Sequence, residues 1–311
     1  MRAIMQRAFG GSEGLELTEI DRPQPIATEV LVRVHAAGVN PVDWKTSAGL
    51  ATAFGQPPYV PGWDVAGVVE VSNASPMLAP GDEVLGMPLF PRRPGAYAEY
   101  VAAPSRQFVR KPAKLSFVEA AALPLAGLTA WQALVDAAKV RAGQRVLVSA
   151  AAGGVGHLAV QIAKARGAYV IGTASAGKHD FLRELGVDQA VDYTTSELDT
   201  AVRDVDVVLG LVGDEDHQRT LATLRPGGVL VGVAGGVSES VAAEAERRGV
   251  RATAIMVEPD LIGLRALVDL VERDQLRVVV DQVFPLEQAG KAHELGFTNR
   301  TKGKIVLAVR D

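Results

Sequence analysis

"AAGGVGHLAVQIAK", Ala151 to Lys164, follows directly on the apolar run "RVLVSA" (145–150). The order predicts a strand, a tight glycine turn and a helix. Gly153 and Gly156, with Gly154 and Val155 between them, leave room for a pyrophosphate against bare backbone and for close packing of helix on strand. The first turn of the helix then offers unpaired N–H groups and the positive end of its dipole to phosphate. Val155, Leu158, Ala159, Ile162 and Ala163 recur at helical spacing, which gives the helix one apolar face. Ala151 stands where the first glycine of G-x-G-x-x-G would be, so the fingerprint alone is incomplete. Its place in the chain carries the assignment.

Downstream, short apolar runs alternate with helical ones: "YVIGTA", "KHDFLRELG", "QAVDY", "VDVVLGLVG", "DHQRTLATL", "VLVGVAG" and "VRATAIMV". Such alternation predicts a doubly wound parallel sheet, the turn at its first crossover. Upstream, residues 1–118 are strand-like and rich in proline and glycine, with "VLVRVHAAGV", "DVAGVVEVS", "DEVLGM" and "AYAEYVAAP" as short β runs. β segments return at 277–284 and 304–309. The expected fold class is α/β: a β-rich domain over 1–118, interrupted by a dinucleotide-binding domain over 119–274 and completed by 275–311.

The second strand of the series selects the cofactor. An NAD site places a carboxylate about 20 residues after the turn, to bind the ribose 2′-hydroxyl. No Asp or Glu occurs between Asp136 and Asp180, and the chain reads "TASAGK", Thr173 to Lys178, at that place. Ser175 offers a hydroxyl and Lys178 an ammonium to a 2′-phosphate, which a carboxylate would repel. The cofactor expected is NADP(H); a solvated lysine at a helix start is the alternative.

Composition narrows the rest. A formal charge of −4 gives no general attraction to nucleic acid or an anionic membrane. The absence of cysteine rules out disulfides, thiolate nucleophiles and cysteine-held zinc. No leader-like apolar core or clean membrane span is visible, and a cytoplasmic protein is expected. The histidines at 35, 157, 179, 217 and 293 show no paired metal spacing, and "HELGF" lacks the second His of H-E-x-x-H.

"AAGVNPVDWKTSAG", "PYVPGWDVAGVV", "GDEVLGM", "GAYAEYVAAP", "LPLAGLTAWQAL", the glycine turn and "KGKIVLAV" follow one another along nearly the whole chain. In this order they resemble the zinc-independent quinone oxidoreductase branch of the medium-chain dehydrogenase/reductases. Ala150, Gly153 and Gly156 match the A-x-x-G-x-x-G form of that branch. The resemblance implies a Rossmann domain inserted in a split GroES-like catalytic domain, a cleft between them and a homodimer. Zinc relatives hold metal with Cys, His and a carboxylate or second Cys; here Asn40 stands in the cysteine's region and Trp63 where a Gly-His-Glu run would supply ligands. Without a Lewis acid, alcohol oxidation loses its main support. Quinones and α,β-unsaturated carbonyls remain as small-molecule acceptors. Enoyl-thioester reduction, or an NADPH-binding sensor or structural role with negligible turnover, are the alternatives.

In "NPVDWK", Asn40, Asp43, Trp44 and Lys45 are expected on a loop leaving a strand through a proline turn. The resemblance puts this segment beside the nicotinamide, with Lys45 as the cation that stabilises charge building up on the acceptor oxygen. Asp43 either orients Lys45 or caps the following turn. Trp44 and Trp63 either wall the acceptor or lie in the core, and Tyr59 stands near the cleft or is structural. From the same resemblance Thr129 lies near the nicotinamide amide and Tyr193 by the adenosine phosphate. Val233, Ala234 and Gly235 of "VAGG" stand at the carboxyl edge of the sheet. Arg300 and Lys302 of "NRTKGK" reach the phosphates or form a solvated turn.

Overall fold

The computed structural model describes residues 1–310 apart from 93 and 234, so the Ala234 expectation lies outside the described residues. By packing, the chain divides into two units. One comprises Met1–Leu128, Glu258–Glu272 and Val278–Asp311; the other comprises Thr129–Val257 and Arg273–Arg277.

The second unit is built on a six-stranded sheet in which every pair is parallel. Its order is Gln189–Asp192, Tyr169–Ala174, Arg145–Val148, Val205–Gly210, Leu224–Gly232 and Arg251–Ala254. Numbered along the chain this is 3-2-1-4-5-6, the doubly wound order expected of alternating β and α segments. The strand order reverses beside Arg145–Val148, and the helix Gly156–Ala165 follows that strand. Leu147, Ile171, Val208 and Leu230 fill the interior under helices such as Glu239–Arg247, which contributes Val241 and Ala245. These strands are apolar on both faces because helices cover both.

The first unit carries a seven-stranded mixed sheet. Its path runs Val280–Pro285, Lys304–Ala308, Glu29–Val39, Asp64–Ser72, Glu83–Gly86 and Phe108–Arg110, with Tyr100–Pro104 also pairing to Glu29–Val39. The C-terminal strand Lys304–Ala308 lies antiparallel to Glu29–Val39, with Ile305 opposite Val39 and Val306 opposite Gly38. That register brings Lys304 to the end of the strand where Asn40 leaves the sheet. Val32, Val34, Val65, Val84, Phe108 and Leu307 form the core of this unit. No helix among the described residues is long and apolar enough to cross a membrane.

One local expectation is corrected. The segment after Val39 is not a loop but the helix Pro41–Ser47. Asn40 caps it in extended conformation, Pro41 occupies the first helical position with its φ already set, and Asp43 stands at the third. Trp44 fixes the helix laterally. Its ring lies over Gly296, where a Cβ would come within 2.6 Å, and tilts against Phe297 at 6.2 Å. A small residue at 296 is what lets the helix Ala289–Phe297 sit this close.

Candidate active site

The turn at 149–156 is shaped from two strands. Ala150 adopts a positive φ of 47°, unusual for a side-chain-bearing residue, and its carbonyl accepts the N–H of Gly153 (2.9 Å). Thr173 holds the turn from the second strand: its hydroxyl accepts the Ala150 N–H (3.2 Å) and its carbonyl the Ala151 N–H (3.0 Å). A Cβ on Gly156 would lie 2.3 Å from the Ala150 carbonyl, so only glycine allows the helix to start here. No side chain caps that helix, and Gly153, Gly154 and Val155 are half-buried at its mouth. Bare backbone at an uncapped N-terminus fits a pyrophosphate.

The second strand ends at Ala174, and Ser175 begins a single turn closed by the Lys178 N–H to the Ser175 carbonyl (2.9 Å). Both residues are half-buried. Spacing along the sequence missed a carboxylate here. Asp192 ends the adjacent strand opposite Ala174 and interacts with the Ala176 amide. Its Oδ1 accepts the hydroxyl (2.7 Å) and N–H (2.9 Å) of Thr194, and these bonds hold its pKa below the usual carboxylate range. It therefore braces the Ser175–Lys178 turn as a committed acceptor. Tyr193 follows it, half exposed. Val233 donates its N–H to the Gly210 carbonyl (3.0 Å) at the carboxyl edge of the sheet, Gly235 has a φ of 76°, and Thr129 is buried on the helix Pro124–Trp131.

The first unit holds the other expected residues. Lys45 projects from the helix as an exposed cation, whereas Asp43, two positions earlier, points inward and is 1% exposed. Asp43 Oδ2 accepts the Asn40 N–H (2.7 Å) and the Tyr97 hydroxyl (3.0 Å). Tyr97 OH stands 3.3 Å from His293 Nε2. With the Tyr97 proton directed to Asp43, a bond between Tyr97 and His293 has Nε2 as its donor, and Nδ1 has no partner among the described residues. Beside this chain lies an ion pair. Lys304 Nζ donates to the Val39 carbonyl (2.8 Å) and to Asn40 Oδ1, and stands 3.7 Å from Asp64 Oδ2. Asn40 Nδ2 donates to the same Asp64 oxygen (2.8 Å), and the Leu125 N–H to the other (2.7 Å).

Burial dominates the electrostatics. It pushes the Asp43 carboxyl up to about 7, against the hydrogen bonds of Asn40 and Tyr97, and raises Asp64 as well. It lowers Lys304, which the two carboxylates oppose, and takes His293 down to about 3. Tyr59 bonds through its backbone to Gln6, and burial raises its phenol to about 12. Trp44 and Trp63 are buried, Trp63 against Phe90 (5.3 Å) with its Nε1 donating to the Arg92 carbonyl (3.4 Å). Arg300 and Lys302 are exposed on the turn before the last strand. Lys304, Asp64, Tyr97 and His293 were not singled out from sequence. The available signal was a charge at the head of an apolar run, in "WDVAGVV" and "GKIVLAV".

Family models match in two places: the alcohol dehydrogenase GroES-like domain over residues 26–113, and zinc-binding dehydrogenase over 185–307. The NADPH-dependent alkenal/one oxidoreductase of Arabidopsis thaliana chloroplasts is 35% identical over 319 residues, covering 99% of this chain and 79% of that protein. The structure of the quinone oxidoreductase from Coxiella burnetii is 38% identical with a TM-score of 0.94, covering 100% of this chain and 99% of the other. This chain belongs to the medium-chain dehydrogenase/reductase superfamily, in its quinone oxidoreductase branch. The structure of Escherichia coli quinone oxidoreductase complexed with NADPH is 28% identical, with a TM-score of 0.89 and coverage of 99% and 100%. The protein is an oxidoreductase of a family that binds a nicotinamide cofactor.

Catalytic zinc, which part of this superfamily uses, does not fit the residues of this oxidoreductase. Among the described residues no three His, Cys, Asp or Glu side chains stand together as a ligand set. The oxygens of Asn40 and Asp64 are already turned to the Lys304 ammonium. Titration of the buried chain gives the first test. Asp43 is raised from 3.8 to about 7, so the native state holds its proton more tightly than the unfolded chain. The stability due to protonated Asp43 is full below about pH 4 and is lost as pH rises through about 7. His293, depressed from 6.5 to about 3, acts in reverse: its contribution is present above 6.5 and lost as pH falls through 3. The two offset one another between about pH 4 and 6.5, and Asp43→Asn separates them. Denaturant midpoints of variant and wild type, compared at pH 4.5 and 8, should shift in the variant's favour as pH rises. An unchanged difference would mean that Asp43 titrates as an ordinary carboxyl.

Proposed function

We propose that this oxidoreductase is an NADPH-dependent, zinc-independent reductase of quinones and α,β-unsaturated carbonyls. The observation that carries the reading is the end of the second strand: Ser175 and Lys178 replace the ribose-binding carboxylate, next to an uncapped helix N-terminus. The names of the Arabidopsis relative and of the Escherichia coli complex, both with NADPH, support it.

In this reading the backbone of Gly153–Gly156 binds the pyrophosphate, and Ser175 and Lys178 hold the 2′-phosphate, on a turn braced by Asp192. Thr129, Tyr193, Val233 and Gly235 line the rest of the dinucleotide. Bound there, the nicotinamide supplies a hydride to the acceptor. Lys45 is the group assigned to meet the charge this creates; Asp43 and Asn40 are committed inside the domain. An ammonium beside the acceptor oxygen stabilises the enolate formed as hydride reaches the β-carbon, and a proton from water completes the reduction. Asp43 and Asn40 hold the helix that presents Lys45, and Tyr59 packs nearby through its bridge to Gln6.

Two measurements test this reading. A charge-assisted contact to phosphate contributes about 1.5–3 kcal/mol, so NADPH should bind about tenfold or more tighter than NADH. Lys178→Ala should erase most of that preference, read from dissociation constants for both cofactors. Equal affinities in the wild type, or selectivity kept in the variant, would defeat the NADPH assignment. Lys45→Ala should slow single-turnover reduction of an enone by about 10²-fold while NADPH affinity stays within about twofold. An unchanged enone rate would make Lys45 a solvated surface residue.

A further inference from the structure

The helix that presents Lys45 is seven residues long, and a helix this short has little stability of its own. Trp44 fixes it laterally, and its start is set by what holds its N-terminal end. The N-terminal end is Asn40, and the side chain of Asn40 is gripped on both sides: Oδ1 receives the Lys304 ammonium and Nδ2 donates to Asp64. Lys304 also takes the carbonyl of Val39, the last strand residue before the cap. The ammonium therefore sits among a backbone carbonyl, an amide oxygen and a carboxylate, an all-oxygen donor set of the kind that holds a hard cation. Lys304 is 3% exposed and Asp64 is fully buried, so both are shielded from bulk solvent. Asp64 in turn takes the Leu125 N–H at the start of the helix Pro124–Trp131. One cation thus ties the C-terminal strand, the end of Glu29–Val39 and the strand Asp64–Ser72 to the residue that starts the helix.

We propose that Lys304 is a positioning residue: a tethered cation that fixes the Asn40 turn and thereby the helix carrying Lys45. The proposal rests on the reductase reading for its kinetic consequence, and on the geometry of the turn for its structural one. A merely neutralising role, in which Lys304 serves only to balance Asp64, is the competing account. The two differ in what happens when both charges are removed together.

Lys304→Met alone leaves Asp64 buried without its cation, a change that breaks many proteins outright. The informative variant is the double substitution Lys304→Met with Asp64→Asn, in which the neutral amide can still accept from Leu125. It is compared with Asp64→Asn alone, which keeps the Lys304 amine on Val39 and Asn40. Hydrogen exchange over residues 40–50, NADPH titration, and kcat and KM with an enone are measured on all three proteins. Tethering predicts that the double variant folds and binds NADPH as the wild type does. Its amides at 40–50 should exchange about tenfold faster or more, while the strand Asp64–Ser72 keeps its protection. Its kcat should fall about tenfold or more with acceptor KM little changed, as misplacement of a presenting helix requires. Asp64→Asn alone gives up the Asn40 Nδ2 bond but keeps Lys304 on Val39 and Asn40 Oδ1, so it should exchange about tenfold or more slower at 40–50, and turn over about tenfold or more faster, than the double variant. Wild-type exchange at 40–50 in the double variant, together with wild-type kcat, overturns the proposal. Should the wild type reduce neither quinone nor enone, the reductase reading fails by itself, and exchange at 40–50 still decides whether Lys304 holds the turn.

Discussion

In the first unit the helix that carries Lys45 starts beside one buried cation among carboxyl groups. Lys304 faces Asp64 directly, and Asp43 stands beyond Asn40 in the same enclosed region. Two carboxylates and one ammonium leave an excess negative charge if all ionise, and desolvation makes that expensive. The domain answers with hydrogen bonds: Asn40 donates to both carboxylates, Tyr97 to Asp43 and Leu125 to Asp64. It also moves the titrations, raising both acids and lowering the base. Polar groups inside the domain are thus used to define geometry, while Lys45 on the same helix is left outside as an exposed cation.

The second unit works by a different means. The turn that the proposal assigns to phosphate is made of backbone N–H groups at a helix start rather than of buried charge. Ala150 takes an unusual backbone conformation, Thr173 holds it from the neighbouring strand, and Gly156 lets the helix begin against its carbonyl. The proposed selectivity rests on the next strand end, which carries Lys178 on a turn that Asp192 supports. The carboxylate at 192 is turned to Thr194 and the Ala176 amide.

What was readable in the sequence follows from the range of each interaction. The glycine turn, the alternating strands and the basic strand end were legible, since each depends on residues within one crossover. The helix at 41–47 was misread as a loop, because Asn-Pro signals a turn in isolation. Asn as cap, Pro in the first position and Asp in the third together form a helix start, and that combination was available in the sequence. The buried network was not. Asn40 is 24 residues from Asp64 and 264 from Lys304, and Tyr97 is 196 from His293; nothing local indicates that these meet. Asp192 is hidden for a related reason: it reaches the Ser175–Lys178 turn across the sheet, from the strand after the one on which an acid is normally sought.

The central claim is that this chain transfers hydride from NADPH to a conjugated acceptor with its own ammonium groups and no metal. The most direct measurement is rapid mixing of the wild-type protein carrying NADPH with an enone or a quinone, in the presence of a strong chelator, using NADPH with hydrogen or deuterium at the transferred position. The account predicts oxidation in a single turnover that chelator leaves intact and deuterium slows. Absence of oxidation with both acceptors, or oxidation that appears only on addition of zinc, would contradict it.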